Sequence, residues 1–419
     1  MGARGLERGG LGHPPEPSSQ ADPAEEKGFL TFFGQSILAL AFDLGDLIPG
    51  LIFAFSLDLF SRRMWSIVAY PCLLTTRGMV GGVFCGRLTS GLWLGTMRPC
   101  FLGNTDDFKD LYSSIMVLSS LSALMMVASI GLYGLSWGLG GRDMLDMTVA
   151  VITTMALSFL TATPITALVA FASFKHGLDP DVITYPVGSL SCDTLVTCCY
   201  TATLILMYHG SMGRGLAYAI SSAFLASCAL KLVRGFGREG FKRGLKESLA
   251  SSALVVAISG LTGTTLGRMS IKVGLRPEVA MAYPALIGTV GDVGSIVGST
   301  ATTKMWSGEL EADAGAFFQH RREIAAAWSS SLLMFTAYGF LSSLIASGDL
   351  PILLATFFLT NLMAVGLVVI LSLSVGILSY RYGLDPDNFV IPVESSAADA
   401  ITTLSLLLAL RALSGLWVR

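Results

Sequence analysis

The sequence predicts an all-α membrane protein built from two tandem copies of a five-helix unit. Three observations predict it: an apolar composition, eleven apolar runs long enough to cross a bilayer, and an internal repeat. Of the 419 residues, 53% are hydrophobic and 13% are charged, and the mean hydropathy is +0.66. A soluble globule of this size needs more polar surface, so we expect the chain to be solvated by lipid.

The charge balance argues against nucleic acid as a partner. The formal net charge is −2, and the Lys and Arg residues are confined to short connections between apolar runs. Seven cysteines lie mostly inside apolar stretches with no CxxC pair, which is typical of small buried hydrophobic residues and not of a structural zinc site. We therefore expect no nucleic acid, no cofactor and no enzymatic activity.

An internal repeat is the strongest signal in the sequence. GLDPDVITYPVGSLSCDTLVT, from Gly177, matches GLDPDNFVIPVESSAADAITT, from Gly383, at ten of 21 positions and a constant offset of 206. Upstream, YPCLLTTRGMVGGVFCG from Tyr70 aligns with YPALIGTVGDVGSIVGS from Tyr283 at an offset of 213. Each copy therefore contains five of the candidate membrane spans.

The repeat divides the chain into four segments. Residues 1–28 are rich in Pro, Gly and charge and are expected to form a disordered cytoplasmic tail without a cleaved signal peptide. Residues 29–208 form the first copy, 209–246 hold a linking helix and a basic cytoplasmic loop, and 247–419 form the second copy. An odd number of helices per copy would invert the second copy, and the extra run at 215–233 removes this inversion. The copies are then related by a pseudo-twofold axis along the membrane normal, with a ten-span inverted arrangement as the alternative.

Basic residues predict the orientation of the eleven spans. The side that holds the N-terminus collects 17 Lys and Arg residues and the other side collects 9. The positive-inside rule then puts the N-terminus in the cytoplasm and the C-terminus outside, in a multi-pass protein of the cell membrane.

Two aspartates occupy equivalent places near the middle of the membrane. Asp193 and Asp399 each follow an Asp-Pro-Asp turn by 12 residues, which places them ~18 Å into their helices. A carboxylate at that depth is costly unless it is paired, hydrated or bound to metal. Two of them facing each other across the axis would form an oxygen-rich pocket suited to a hard divalent cation, whereas the structural alternative is a protonated Asp in a helix-packing hydrogen bond.

Three further aspartates are divided unequally between the copies. Asp292 lies in the Gly-rich second helix of the second copy, where the first copy has Met79. Asp43 and Asp46 lie on the opening helix of the first copy, where the second copy has Val256 and Ser259. All three are candidate metal ligands with Asp193 and Asp399, and Arg77 is expected to pair with Asp43, Asp46 or Asp292.

At these residues the sequence resembles the MgtE and solute carrier family 41 group of magnesium channels and transporters. The resemblance rests on the Pro-Cys-Leu or Pro-Ala-Leu stretch that leads into a Gly-rich second helix, and on the mid-helix Asp of the fifth helix. It implies a five-helix unit paired about a twofold axis, here as two fused copies, with Asp193 and Asp399 at the ion site. It also implies a divalent cation, most simply Mg²⁺, as the transported substrate, and one chain as the functional unit within the lipid bilayer.

Other functions stay open at this stage. A proton-coupled transporter of another solute could use the same aspartates, and Mn²⁺, Co²⁺ or Ca²⁺ could replace Mg²⁺ because all accept carboxylate oxygen. An intramembrane aspartyl protease is suggested by Pro284-Ala285-Leu286 and Gly291-Asp292. The Gly-x-Gly-Asp motif of such proteases is not met, since residue 289, where its first glycine should stand, is Thr.

Overall fold

A computed structural model gives the backbone of residues 28–176, 180–272, 274–313, 315–382 and 386–417. Side chains are described for the same residues except 180–187, 239, 243–244, 247, 272, 382, 386–393 and 416–417. The predicted tail, the two Asp-Pro-Asp turns and the side chains of the prolines that follow them therefore lie outside the described residues.

The described chain is mostly helical, with turns and loops between the helices. The first copy and the linking helix comprise α1 Phe29–Leu40, the 3₁₀ segment η1 Ala41–Asp46, α2 Leu47–Phe55, α3 Leu57–Phe60, α4 Met64–Trp93, α5 Asp106–Gly134, the 3₁₀ turn η2 Leu135–Trp137, α6 Gly141–Lys175, α7 Pro180–Tyr208 and α8 Gly210–Gly235. The second copy comprises α9 Glu239–Lys272, α10 Pro277–Trp306, α11 Ala316–Gln319, α12 Arg321–Ala346, α13 Leu350–Tyr382, α14 Pro386–Ala412 and α15 Ser414–Trp417.

The helices confirm the all-α membrane class. Ten helices of the described chain are long and apolar enough to cross a membrane, with α1, η1 and α2 together forming the first. The predicted eleventh span corresponds to α14, a helix of 27 residues. With α8 among the spans, the two opening helices are first and seventh in order. Both copies then cross the membrane in the same direction, which is the arrangement that an axis along the membrane normal requires.

The opening helix of each copy packs against the other copy. Helices α1 and α2 lie against α12 and α10, whereas α9 lies against α5 and α4. A glycine makes each crossing possible: a Cβ at Gly50 would lie 1.8 Å from the Met281 carbonyl oxygen, and a Cβ at Gly263 would lie 2.0 Å from that of Val68. Gly263 follows Gly50 by the repeat offset of 213, and Met281 follows Val68 by the same offset. The two crossings are therefore related by the pseudo-twofold symmetry of the copies.

The two opening helices differ in continuity. The first is interrupted by the 3₁₀ segment η1, whereas α9 runs unbroken for 34 residues. Pro49 explains the interruption, because it has no backbone N–H and cannot bond the Gly45 carbonyl four residues earlier. The equivalent residue of α9 is Thr262, which keeps its backbone donor and turns its hydroxyl back to the Ile258 carbonyl.

Candidate cation pathway

The interruption of the first opening helix positions two aspartates against α10. Asp43 is buried and accepts a 2.8 Å hydrogen bond from the Thr289 hydroxyl, which also lies 2.7 Å from the Tyr338 hydroxyl. The Asp46 carboxylate lies 3.0 Å from the place that a Cβ at Gly288 would take. A glycine at this point of α10 therefore lets the carboxylate approach the helix backbone.

Asp292 of α10 completes this group. Its carboxyl lies within hydrogen-bonding reach of Asp43 and close enough to Asp46 for the two charges to interact. An ionised carboxylate only accepts hydrogen bonds, so a shared proton or a nearby cation must offset the repulsion. Asp292 itself is exposed.

Asp193 and Asp399 extend the group across the repeat axis. Asp399 of α14 is 7% exposed and accepts a 2.6 Å hydrogen bond from Thr75 of α4, which belongs to the other copy. Asp193 of α7 is half-buried, and its charge interacts with those of Asp46 and Asp399. The two fifth-helix aspartates that the repeat singled out are thus brought near each other.

Equivalent hydrogen bonds hold both fifth helices in register. The Tyr70 and Thr197 hydroxyls lie 3.2 Å apart in the first copy, and those of Tyr283 and Thr403 lie 2.9 Å apart in the second. Each threonine hydroxyl also donates to the backbone carbonyl of the mid-helix aspartate four residues earlier. Each copy therefore uses its Tyr-Pro helix to fix the turn of helix that carries the aspartate.

The five aspartates form a row and not a compact metal site. We call this row the carboxylate file; in order of their interactions its members are Asp292, Asp43, Asp46, Asp193 and Asp399. Among the described residues, no three His, Cys, Asp or Glu side chains converge closely enough to hold one metal ion. The geometry suits a cation that keeps its water shell and moves from one carboxylate to the next. Mg²⁺ is such a cation, since it dehydrates reluctantly and is often held by one or two carboxylates.

No basic side chain offsets these charges in the part of the chain that the structure describes. The ion pairs found there, such as Arg63 with Asp143 and Arg238 with Asp110, are made outside the carboxylate file. Asp58 is exposed and lies on α3, after the opening helix. A row of carboxylates inside a membrane protein without fixed counter-charges needs mobile cations or protons to balance it.

Arg77 is not the counter-charge that the sequence suggested. It is 1% exposed and donates to the Thr163 hydroxyl at 2.6 Å and to the Ser158 carbonyl at 3.4 Å, both on α6. Its Nε and Nη1 atoms have no hydrogen-bond partner. The expected pairing with Asp43, Asp46 or Asp292 is therefore wrong, because the side chain of Arg77 points to α6 inside the first copy while the three aspartates lie against the second copy.

Sequence reasoning missed four polar residues near the file. Thr75, Thr289 and Tyr338 make the hydrogen bonds described above, and hydroxyl residues are too frequent in membrane helices to be singled out by type. The fourth, Glu394 of α14, is 2% exposed and accepts a hydrogen bond from Ser372 of α13. The repeat alignment contained its signal, since the first copy has Gly188 at the matching position.

Comparison with known proteins gives one family. The family model described as MgtE, divalent cation transporter, matches residues 70–203 and 283–409. The two matched regions begin at the repeated Tyr-Pro stretches and include Asp193, Asp292 and Asp399. No curated protein and no solved structure matches the chain.

Proposed function

Since the chain belongs to the MgtE family of divalent cation transporters, we propose that it moves Mg²⁺ along the carboxylate file. The observation that supports this path is the continuity of the file, which draws on α7 and the opening helix of the first copy and on α10 and α14 of the second. An intramembrane carboxylate without a basic partner is most often part of an ion or proton path. The protease alternative has no support, because the family is one of transporters.

The chemistry of the file favours Mg²⁺ that keeps part of its water shell. Each aspartate has one to three carboxylate neighbours, and hydroxyl groups of Thr75 and Thr289 occupy other oxygens of the file. A bare ion held at ~2.1 Å by six protein oxygens needs a tighter cage than this. A hydrated ion reaches several carboxylates through its own water molecules.

One chain is proposed to be the functional unit, in a cell membrane with the N-terminus in the cytoplasm. The two fused copies supply both sides of the axis that a single five-helix unit would obtain by dimerising. The excess of basic residues on the N-terminal side supports the orientation. Labelling of a cysteine introduced at Gly237, in the basic connection between α8 and α9, tests this orientation. If an impermeant reagent labels this cysteine from outside intact cells, the orientation is the opposite one.

Flux into proteoliposomes tests the substrate and the unit together. We expect Mg²⁺ influx that is inhibited competitively by cobalt(III) hexaammine, a substitution-inert trivalent cation similar in size and shape to hexahydrated Mg²⁺. We also expect the fraction of transporting vesicles to rise linearly with the protein-to-lipid ratio, in the range where the average vesicle holds fewer than one chain. Preference for Ca²⁺ or Mn²⁺ over Mg²⁺, no effect of cobalt hexaammine, or a quadratic rise would contradict the corresponding part of the proposal.

A further inference from the structure

Glu394 is a buried carboxyl group that the carboxylate file does not include. It lies where α14 meets α10 and α13, is 2% exposed, and accepts a hydrogen bond from the Ser372 hydroxyl on its Oε1 atom. Burial of a carboxyl group in a membrane protein without a cationic partner is costly. A role is therefore needed to account for its presence.

Two glycines of α10 form the wall against this carboxyl group. A Cβ at Gly294 would lie 2.5 Å from Glu394 Oε1, and a Cβ at Gly298 would lie 3.6 Å from Oε2. The glycines are spaced by one helical turn, so they open a strip of backbone to which the carboxyl group is fitted. The tight contact with α10 leaves no coordination sphere for a metal ion at Oε1, and the cation that fits there is a proton.

The first copy serves as an internal control for packing. Its residue at the place of Glu394 is Gly188, and a Cβ there would meet only Thr166, at 3.7 Å or more. The two copies still make the same helix crossings and the same Tyr-Thr hydrogen bonds. The scaffold can therefore be built without a carboxyl group at this position.

Charged groups on the surrounding helices have other partners. On α10, Lys304 pairs with Glu323 and Asp292 reaches Asp43. On α13, Arg381 donates to the Ala312 carbonyl, and on α14 Asp399 accepts from Thr75. Helices α4 and α9 also pack on α14; Arg77 of α4 donates to α6, and α9 has no charged residue between positions 248 and 267.

The residue after Glu394 lies close to the residue before Asp292. The next residue of α14, Ser395, is accessible to water, and its hydroxyl lies 3.9 Å from the place of a Cβ at Gly291. Gly291 immediately precedes Asp292. Ser395 is thus the polar group past which a proton from the Glu394 carboxyl group would reach the exposed Asp292.

We propose that Glu394 binds and releases a proton in exchange with the divalent cation. When the carboxylate file is empty, Glu394 is a neutral carboxylic acid. When a cation enters, its charge favours the ionised carboxylate, the O–H bond breaks, and the proton passes to water near Asp292. Asp399 lies five residues beyond Glu394, about 7.5 Å along the helix axis, so a cation at the end of the file is near enough to exert this effect. The inference rests on the proposed transport of a divalent cation and adds a coupled proton to it.

Proton release on Mg²⁺ binding is the direct test. The full chain in detergent and weak buffer is titrated with MgCl₂ while a pH indicator records the protons released. We expect Glu394→Gln to release about one proton fewer per bound Mg²⁺ than the wild type, as linkage requires for one titrating group. Asp58→Asn, which removes an exposed carboxylate, is the matched control and should release as many protons as the wild type.

Flux measurements separate this inference from the proposed function. In proteoliposomes Glu394→Gln should still carry Mg²⁺ but show a weaker pH dependence of its flux, and Ser372→Ala should keep the proton and shift the pH at which flux changes. If Glu394→Gln does not fold, Glu394→Gly, which copies Gly188, replaces it. Wild-type binding without proton release, or equal release from the Glu394 variants, would overturn the inference even where Mg²⁺ flux is intact. Absent wild-type flux would overturn the proposed function, whatever the proton count.

Discussion

The two opening helices share one scaffold and differ in chemistry. Both cross the second helix of the other copy at an equivalent glycine, Gly50 or Gly263. The first is interrupted at η1 and presents Asp43 and Asp46, whereas α9 is continuous and has Val256 and Ser259 in their place. Interrupted membrane helices expose backbone and polar side chains where an ion has to be bound. The first opening helix therefore has the features of an ion-binding element and the second those of a packing element.

The two Gly-rich second helices show the opposite division. Helix α10 of the second copy carries Asp292 next to the first opening helix, whereas α4 of the first copy carries Met79 at that place and the buried Arg77. The acidic groups are thus collected on one side of the pseudo-twofold axis, where α1 and α2 meet α10. The mid-helix aspartates of α7 and α14 are the part of the carboxylate file that both copies retain. Fusion of the copies permits this specialisation, which a homodimer of identical units cannot have.

Loss of the shared aspartates should have the largest effect. Asp193→Asn and Asp399→Asn keep the size and one carbonyl oxygen but remove the charge that compensates for partial dehydration of the ion. We expect each to reduce Mg²⁺ flux in proteoliposomes by about 10- to 100-fold, the range seen when support of a metal site is removed. Folding, measured by thermal unfolding in detergent, should be largely unchanged.

Asp58→Asn is the control for these variants. Asp58 is an exposed carboxylate on α3, which follows the opening helix that carries Asp43 and Asp46, so its removal changes the net charge equally without touching the file. Wild-type flux from both single variants and from the double variant would show that Asp193 and Asp399 are protonated packing groups.

Exchange of one residue between the opening helices should have the next largest effect. Asp46→Ser gives the first copy the residue of the second, Ser259, and removes the carboxylate that lies between Asp292 and Asp193 in the file. We expect a loss of flux on the order of tenfold, the lower end of the range for metal-site support. The reverse change, Ser259→Asp, should not restore flux in the Asp46→Ser background, because α9 has no 3₁₀ interruption there. Full rescue by Ser259→Asp would show that the two opening helices are interchangeable.

Substitution of either crossing glycine should lower the stability of the protein, and by a similar amount in both copies. Gly50→Ala and Gly263→Ala each place a Cβ about 2 Å from a backbone carbonyl oxygen, a contact that the helices relieve only by moving apart. We expect each to lower the free energy of unfolding by about 1–3 kcal/mol, as overpacking does, measured by thermal unfolding in detergent. Gly78→Ala, where nothing lies within 4 Å of the added Cβ, is the control and should be neutral or slightly stabilising. Strongly unequal effects at the two crossings would contradict the pseudo-symmetry.

Much of the architecture could be predicted from the sequence because it depends on one-dimensional patterns. Apolar length gave the spans, and the repeat at offsets 206 and 213 identified equivalent residues such as Asp193 and Asp399. The 3₁₀ interruption was not predicted, although Pro49 three residues after Asp46 is its physical cause. The packing of each opening helix against the other copy could not be predicted. An apolar helix face does not show whether its partner belongs to the same copy or to the other one.

Side-chain direction accounts for what was wrong or missed at the site. The sequence shows that Arg77 is a costly charge inside a helix, but the partner depends on which face of α4 it occupies, and that face is turned to α6. Glu394 differs from Gly188 at the matching position of the repeat, but that difference does not show which helix the carboxyl group faces. Asp43, Asp46 and Asp292 were selected by type and depth, and the structure brings them together.

Replacement of Arg77 should have the smallest effect and tests whether the second helices differ in function or only in packing. Arg77→Met keeps a flexible, unbranched side chain, although a shorter one, and removes a buried charge whose Nε and Nη1 atoms have no partner. Relief of desolvation offsets the lost hydrogen bond to Thr163, so we expect the free energy of unfolding to change by less than about 1 kcal/mol. Mg²⁺ flux should stay near that of the wild type, because the guanidinium group pairs with no member of the carboxylate file. Thermal unfolding and flux on the same preparation check both statements. A loss of flux as large as that of Asp399→Asn, with the fold intact, would mean that the positive charge of Arg77 acts on the ion path. The second helices of both copies would then contribute to transport through their charges.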